Sequence, residues 1–128
     1  MSKRKVMSEQ GIFNFVWRFM EKQGEPSKAD GQCRYRVRRD GRMLACAAGC
    51  LLSDAEANSL PQARWDLFDA RQQPLRFLPF NDLIQQLQNA HDSAAAPYEP
   101  ANFVKRFQIR ARQVAKEFGL TVPTDTQE

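Results

Sequence analysis

Apolar residues at Ile12, Phe13, Val16, Phe19 and Met20 recur at one-turn spacing, which predicts an amphipathic helix from Gly11 to Gln23. Phe15 and Trp17 fall off that stripe, so the buried face is wide or part of it meets a partner. Gly24 stops the helix, and Gly24-Glu25-Pro26-Ser27 reads as a loop. A different period follows. From Cys33 to Cys46 the residues alternate about Asp40-Gly41, a pair suited to a type I′ turn, which needs positive φ at both central positions. With that turn, Arg39 faces Arg42, Val37 faces Leu44 and Tyr35 faces Cys46. Cys33, Tyr35, Val37, Leu44 and Cys46 then share the inner face, leaving Arg34, Arg36, Arg38, Met43 and Ala45 outside.

Beyond the hairpin, Ser53-Asp54-Ala55-Glu56 has the S-x-x-E form of a capping box and predicts a short helical turn. Pro61, Pro74 and Pro79 punctuate the next stretch, whose Trp65, Leu67, Phe68, Leu75, Phe77 and Leu78 need burial or a partner, and a short helix is expected around Gln62–Ala70. A clearer helix is expected from Asp82 to about Ala90, with Asn81 as its N-cap and Leu83, Ile84 and Leu87 buried. His91, one turn after Leu87, should face inward, and Ser93–Pro97 reads as a small-residue linker. The last helix should open near Pro100 and end at Gly119, with Phe103 or Val104, Phe107, Ala111, Val114 and Phe118 as its core face. The pattern predicts an α+β fold: residues 1–10 a mobile basic arm, 11–120 one domain with a β-hairpin packed on about four helices, and 121–128 a flexible tail.

Composition narrows the classes. At 128 residues, 42% hydrophobic and 27% charged, the chain can close one modest core. No apolar run approaches a membrane span, and Met1-Ser2-Lys3-Arg4-Lys5 lacks the apolar stretch of a signal peptide, so a cytoplasmic protein with reduced thiols is expected. Three cysteines, an odd number, argue against a disulfide scaffold. A formal net charge of +4 leans toward anionic partners.

Three constellations carry candidate chemistry. Cys33, Cys46, Cys50 and His91 comprise a Cys3His set that suits tetrahedral zinc, although C-x12-C and C-x3-C are not the usual knuckle spacings. The pattern requires no cofactor, and zinc is the one that this set would take. Cys46 or Cys50 with His91 and the adjacent Asp92 could instead form a thiolate–imidazole pair, its thiol pKa lowered by a helix start after Gly49 and by nearby arginines. The third is anion binding by Arg34, Arg36 and Arg38 on the outer hairpin face and Arg39 and Arg42 beside the turn, with Arg106 and Arg110 in line on the last helix. Glycine-rich phosphate loops, paired metal-binding histidines and serine-nucleophile elbows are missing from the sequence, which lowers the expectation of an enzyme.

Cys33-Arg34-Tyr35-Arg36, Asp40-Gly41, the run from Cys46 through Cys50-Leu51 to Asp54, and Leu87-Gln88-Asn89-Ala90-His91-Asp92 together resemble a family of small uncharacterised proteins of phages, prophages and bacterial genomes. The resemblance implies a phage-linked or accessory setting and one local arrangement of Cys33, Cys46, His91 and Asp92, but no particular reaction. Ser53 stands where that pattern has proline, and 58–75 lacks its acidic, glycine-containing stretch. The expected function is binding of a host macromolecule, either an acidic protein surface or nucleic acid, through the arginine-rich hairpin face. The alternative is a small thiol-dependent enzyme using Cys46 or Cys50, His91 and Asp92.

Overall fold

The computed structural model describes residues 8–29, 32–33, 35–59, 75–95 and 100–123, with backbone alone at 29, 32, 33, 39, 59, 75 and 100. The expectations for the arm before residue 8, the tail after 123 and the helix at Gln62–Ala70 lie outside these residues. Helix α1 (Glu9–Gln23) begins two residues before the expected Gly11, because Ser8 caps it: the Ser8 hydroxyl accepts from Gly11 N–H. Ser8 to Gln10 therefore belong to the domain and not to the arm. Gly24, at φ 82°, ends the helix as expected. Ile12, Phe13, Val16, Trp17 and Met20 are buried, while Phe15 is 50% exposed, so the wide face includes Trp17 and leaves out Phe15.

Two ladders follow. The first, β1 (Lys28–Ala29) with β2 (Gln32–Cys33), is antiparallel and was not expected from the pattern. The second, β3 (Arg36–Arg39) with β4 (Arg42–Ala45), has the expected register, with Val37 opposite Leu44 and Arg39 opposite Arg42. Asp40 and Gly41 take φ 51° and 79°, as a type I′ turn demands. The register ends at Tyr35, whose carbonyl accepts from Cys46 N–H at 3.3 Å. Cys33 does not continue that strand. It pairs opposite Lys28 in the other ladder, so the expected place of Cys33 beside Tyr35 and Cys46 on the inner face of one hairpin is corrected.

Ala45, expected outside, is buried. Its outward N–H and C=O meet the side-chain amide of Gln23, which accepts from one and donates to the other, both at 2.9 Å. One glutamine thus stands in for a third strand and satisfies the hairpin's edge.

Helix α2 (Asp54–Ser59) starts on the expected capping box: Ser53 N–H donates to Glu56 Oε1 (2.8 Å) and Glu56 N–H to Ser53 Oγ (3.2 Å). A 3-10 segment, Leu75–Phe80, leads directly into α3 (Asn81–Ala95). Asn81 is therefore the first helical residue and not the cap, and its side-chain oxygen has no hydrogen-bond partner among the described residues. Ser93 to Ala95, expected in a linker, extend α3 by another turn, because Ala94 and Ala95 pack in the core and the helix end is held from outside. Lys28 Nζ donates to Ala95 O (2.8 Å) and Arg106 Nε to Ala94 O (3.0 Å), placing two cations at the negative end of the helix.

Helix α4 (Phe103–Phe118) follows a 3-10 turn at Pro100–Asn102. It ends in a Schellman motif at Gly119, with Leu120 N–H on Ala115 O and Gly119 N–H on Lys116 O. Phe103, Phe107, Ala111, Val114 and Ala115 are buried against α3 and α1. Thr121, expected in the tail, exchanges backbone hydrogen bonds with the Gln10 side chain, which ties the start of α1 to the end of α4. The result is a single small α+β domain, with α1, α3 and α4 around the core and the ladders at one end. No helix among the described residues is long and apolar enough to cross a membrane.

Candidate functional site

His91 is completely buried, as its position one turn after Leu87 predicts, and it lies edge-on to Phe103 at 5.4 Å between ring centres. The backbone N–H of Ser27 donates to His91 Nε2 (3.2 Å), so that nitrogen is bare and the ring proton sits on Nδ1, facing Asp92 Oδ1 at 2.9 Å. Asp92 Oδ1 also accepts from Gln88 Nε2 (2.8 Å), and Gln88 Oε1 accepts from Ala48 N–H (2.8 Å). One chain of hydrogen bonds therefore runs from the β1 approach, through α3, into the turn after β4. Both imidazole nitrogens are engaged within it.

That turn uses its own cysteines to close. Cys50 N–H donates to Cys46 O (2.8 Å), Gly49 N–H to Cys46 Sγ (3.3 Å) and the Cys50 thiol to Ala47 O (3.2 Å). Gly49 is required here because a Cβ would run into the Tyr35 carbonyl. From β3, the Arg36 guanidinium reaches across to Leu52 O (2.7 Å), Gly49 O (3.3 Å) and the Asp54 carboxylate. Burial pushes the Cys50 thiol well above its usual range, and the neighbouring Cys46 adds to this, outweighing the opposite pull of Arg36. The expected lowering of a thiol pKa by a helix start and arginines is thus reversed at Cys50. Burial, then Cys46 and Asp92, likewise raise the phenol of Tyr35.

The candidate metal set is not assembled by what is described. Cys33 has no described side chain, His91 offers no open nitrogen, and no three His, Cys, Asp or Glu side chains among the described residues are grouped to hold a metal. The Cys46–Cys50 turn and His91–Asp92 are linked through Gln88, as parts of a buried scaffold.

The arginines separate into two kinds. Arg34 and the side chain of Arg39 lie outside the described residues. Arg36 is committed to the turn, and Arg42 to Glu25 (3.0 Å) and Gln23 O (2.9 Å). Arg38 is exposed opposite Met43, itself 47% exposed. Arg106 is bound to α3, whereas Arg110 is exposed beside a cleft of about 310 Å³ between α3 and α4, lined also by Ser93, Ile109 and Gln113.

Among the described residues a further row of exposed charge stands on α4, apart from the arginines singled out from the sequence. On α4, Lys105, Ile109, Arg112 and Lys116 follow at i, i+4, i+7 and i+11, a single stripe opposite the core face. All four are exposed, Ile109 at 56%, and the Arg112 guanidinium lies 5.2 Å from the centre of the Trp17 ring. The same periodicity used for the core face, read 180° away, would have found them.

Compared with family models, with curated proteins and with solved structures, the chain matches none.

Proposed function

We propose that this is a small basic binding protein that engages the anionic surface of a macromolecule, with the outward face of α4 as its principal contact and Arg38 of the hairpin as a further cation. The observation that carries the reading is a segregation of charge. Helix α4 holds five lysines and arginines and one carboxylate, a net of +4 that equals the formal net charge of the whole chain. Helix α1 is balanced, with Glu9 and Glu21 against Arg18 and Lys22, and α3 carries two aspartates and no lysine or arginine. Within α4, Arg106 and Arg110 are like charges one turn apart, as are Arg112 and Lys116, and each such pair costs a few tenths of a kcal/mol in an isolated helix, about 0.2–0.5. Lys105 sits at the positive end of the helix dipole, where a cation is also unfavourable. Arg106 at the end of α3, Arg112 over Trp17 and Lys116 in the last turn of α4 also serve the fold. Lys105 and the like-charged spacing do not, whereas an anionic partner favours both.

The resemblance to small phage and prophage proteins supports a setting in which such a surface occupies a host macromolecule. Catalysis by Cys50 and His91 has no comparable support, given the raised thiol pKa and the engaged imidazole. The test is retention on immobilised heparin, a generic polyanion. The double variant K105E/K116E is expected to elute at markedly lower salt than the wild type while keeping its thermal midpoint, and C50A to elute unchanged. Equal retention of the wild type and K105E/K116E would reject α4 as the contact.

A further inference from the structure

Resting on that reading, we infer that the partner is double-stranded DNA and that the outward face of α4 lies in its major groove. The helix is 16 residues long and so spans about 24 Å, and with side chains it is about 10–12 Å across, matching a major groove about 12 Å wide. The chemistry of the face follows the division such a contact needs. Lys105 and Lys116 stand at the two ends of the stripe, about 16 Å apart along the axis, positioned for phosphates on either side of the groove. Between them on the stripe stand Ile109 and Arg112, the Arg112 guanidinium resting over Trp17, and Gln113 lies beside them on the flank toward α3; all three are exposed. These side chains match the three readable features of the groove: an apolar group for the thymine methyl, a guanidinium for guanine and an amide for adenine.

An acidic protein surface fits less well. Protein interfaces centre on a dry apolar core with aromatic anchors, and this stripe has one apolar side chain, Ile109, enclosed by cations. Duplex RNA fits poorly for a geometric reason, since its deep, narrow major groove does not admit side chains.

The experiment is fluorescence anisotropy with the full chain and three probes: a labelled mixed-sequence DNA duplex, the same sequence as duplex RNA, and poly-glutamate as an acidic-protein surrogate. DNA should bind most tightly, and its affinity should fall steeply between about 50 and 200 mM salt. K105E/K116E should weaken DNA binding by about tenfold or more and reduce the salt slope by about 2, one for each lost phosphate contact. Methyl green, which occupies the major groove, should displace the protein, and netropsin, which occupies the minor groove, should not. I109A and Q113A keep every cation, so they should leave the salt slope unchanged while weakening the preference among duplexes of different sequence. Tighter binding to poly-glutamate or duplex RNA, or displacement by netropsin alone, would overturn the DNA inference and leave the anionic-surface reading standing. No binding to any of the three probes by folded protein would overturn both.

Discussion

His91 shows how one buried polar side chain can read as chemistry in a sequence and act as architecture in a fold. Its Nε2 has to accept because Ser27 presents a backbone N–H that cannot be reoriented into an acceptor, and this sets the proton on Nδ1 toward Asp92. Removing the ring takes away the acceptor that Ser27 N–H uses and opens a cavity beside Phe103. H91A should therefore lose about 3 kcal/mol of stability in urea unfolding, while any α4-dependent binding survives in the fraction that remains folded. A catalytic His91 would show the reverse, a small stability effect with loss of activity. Cys50 gives a second check at this scale. Its thiol is partly covered, donates to Ala47 O and is held protonated, so iodoacetamide at neutral pH should alkylate Cys50 at least about tenfold more slowly in the native protein than in urea-unfolded chain, followed by peptide mass spectrometry. Native-state labelling faster than in the unfolded chain would restore the thiol-enzyme reading.

Among the elements, α2 is short and depends on its ends. Glu56 serves both its capping box and a bidentate pair with Arg76 from the 3-10 segment before α3. That guanidinium, chiefly by hydrogen bonding, holds the Glu56 carboxyl at about 2 instead of its ordinary 4.5. Because the folded value is the lower one, the stabilisation is complete above 4.5 and is lost as the pH falls toward 2. Both side chains are partly exposed, so solvent screens the pair and E56Q should cost only about 1 kcal/mol at neutral pH. The gap between wild type and E56Q, read from urea midpoints, should narrow below pH 4.5 and close near pH 2. A gap independent of pH would assign the effect to capping alone. The capping box, the Asp40-Gly41 hairpin and the Gly24 and Gly119 stops were all legible in the sequence, because each rests on interactions within a few residues. The first ladder was passed over although Asp30-Gly31 repeats the same dipeptide signal between its strands. The extension of α3 through Ala95 and the burial of Ala45 were not legible, since they depend on Lys28, Arg106 and Gln23 arriving from elsewhere in the chain.

For the whole molecule, the division of labour is between a buried polar scaffold at one end and a cationic helix face opposite the core. The sequence drew attention to Cys33–Asp54 because that stretch is dense in cysteine and arginine, yet of its described arginines Arg36 and Arg42 are spent on internal bonds and Arg38 alone is left to face outward without one of these. Exposed charge is read from a sequence only after the core face of its helix is known, and for α4 that face was predicted correctly at Phe107, Ala111 and Val114. The most direct measurement is an NMR titration of isotope-labelled protein with a short DNA duplex. The amide shifts that move most are expected along α4 around Lys105, Ile109, Arg112 and Lys116, with His91 and the Cys46–Cys50 turn still. Shifts concentrated on the hairpin or on the Cys46–Cys50 turn, with α4 unmoved, would contradict the account.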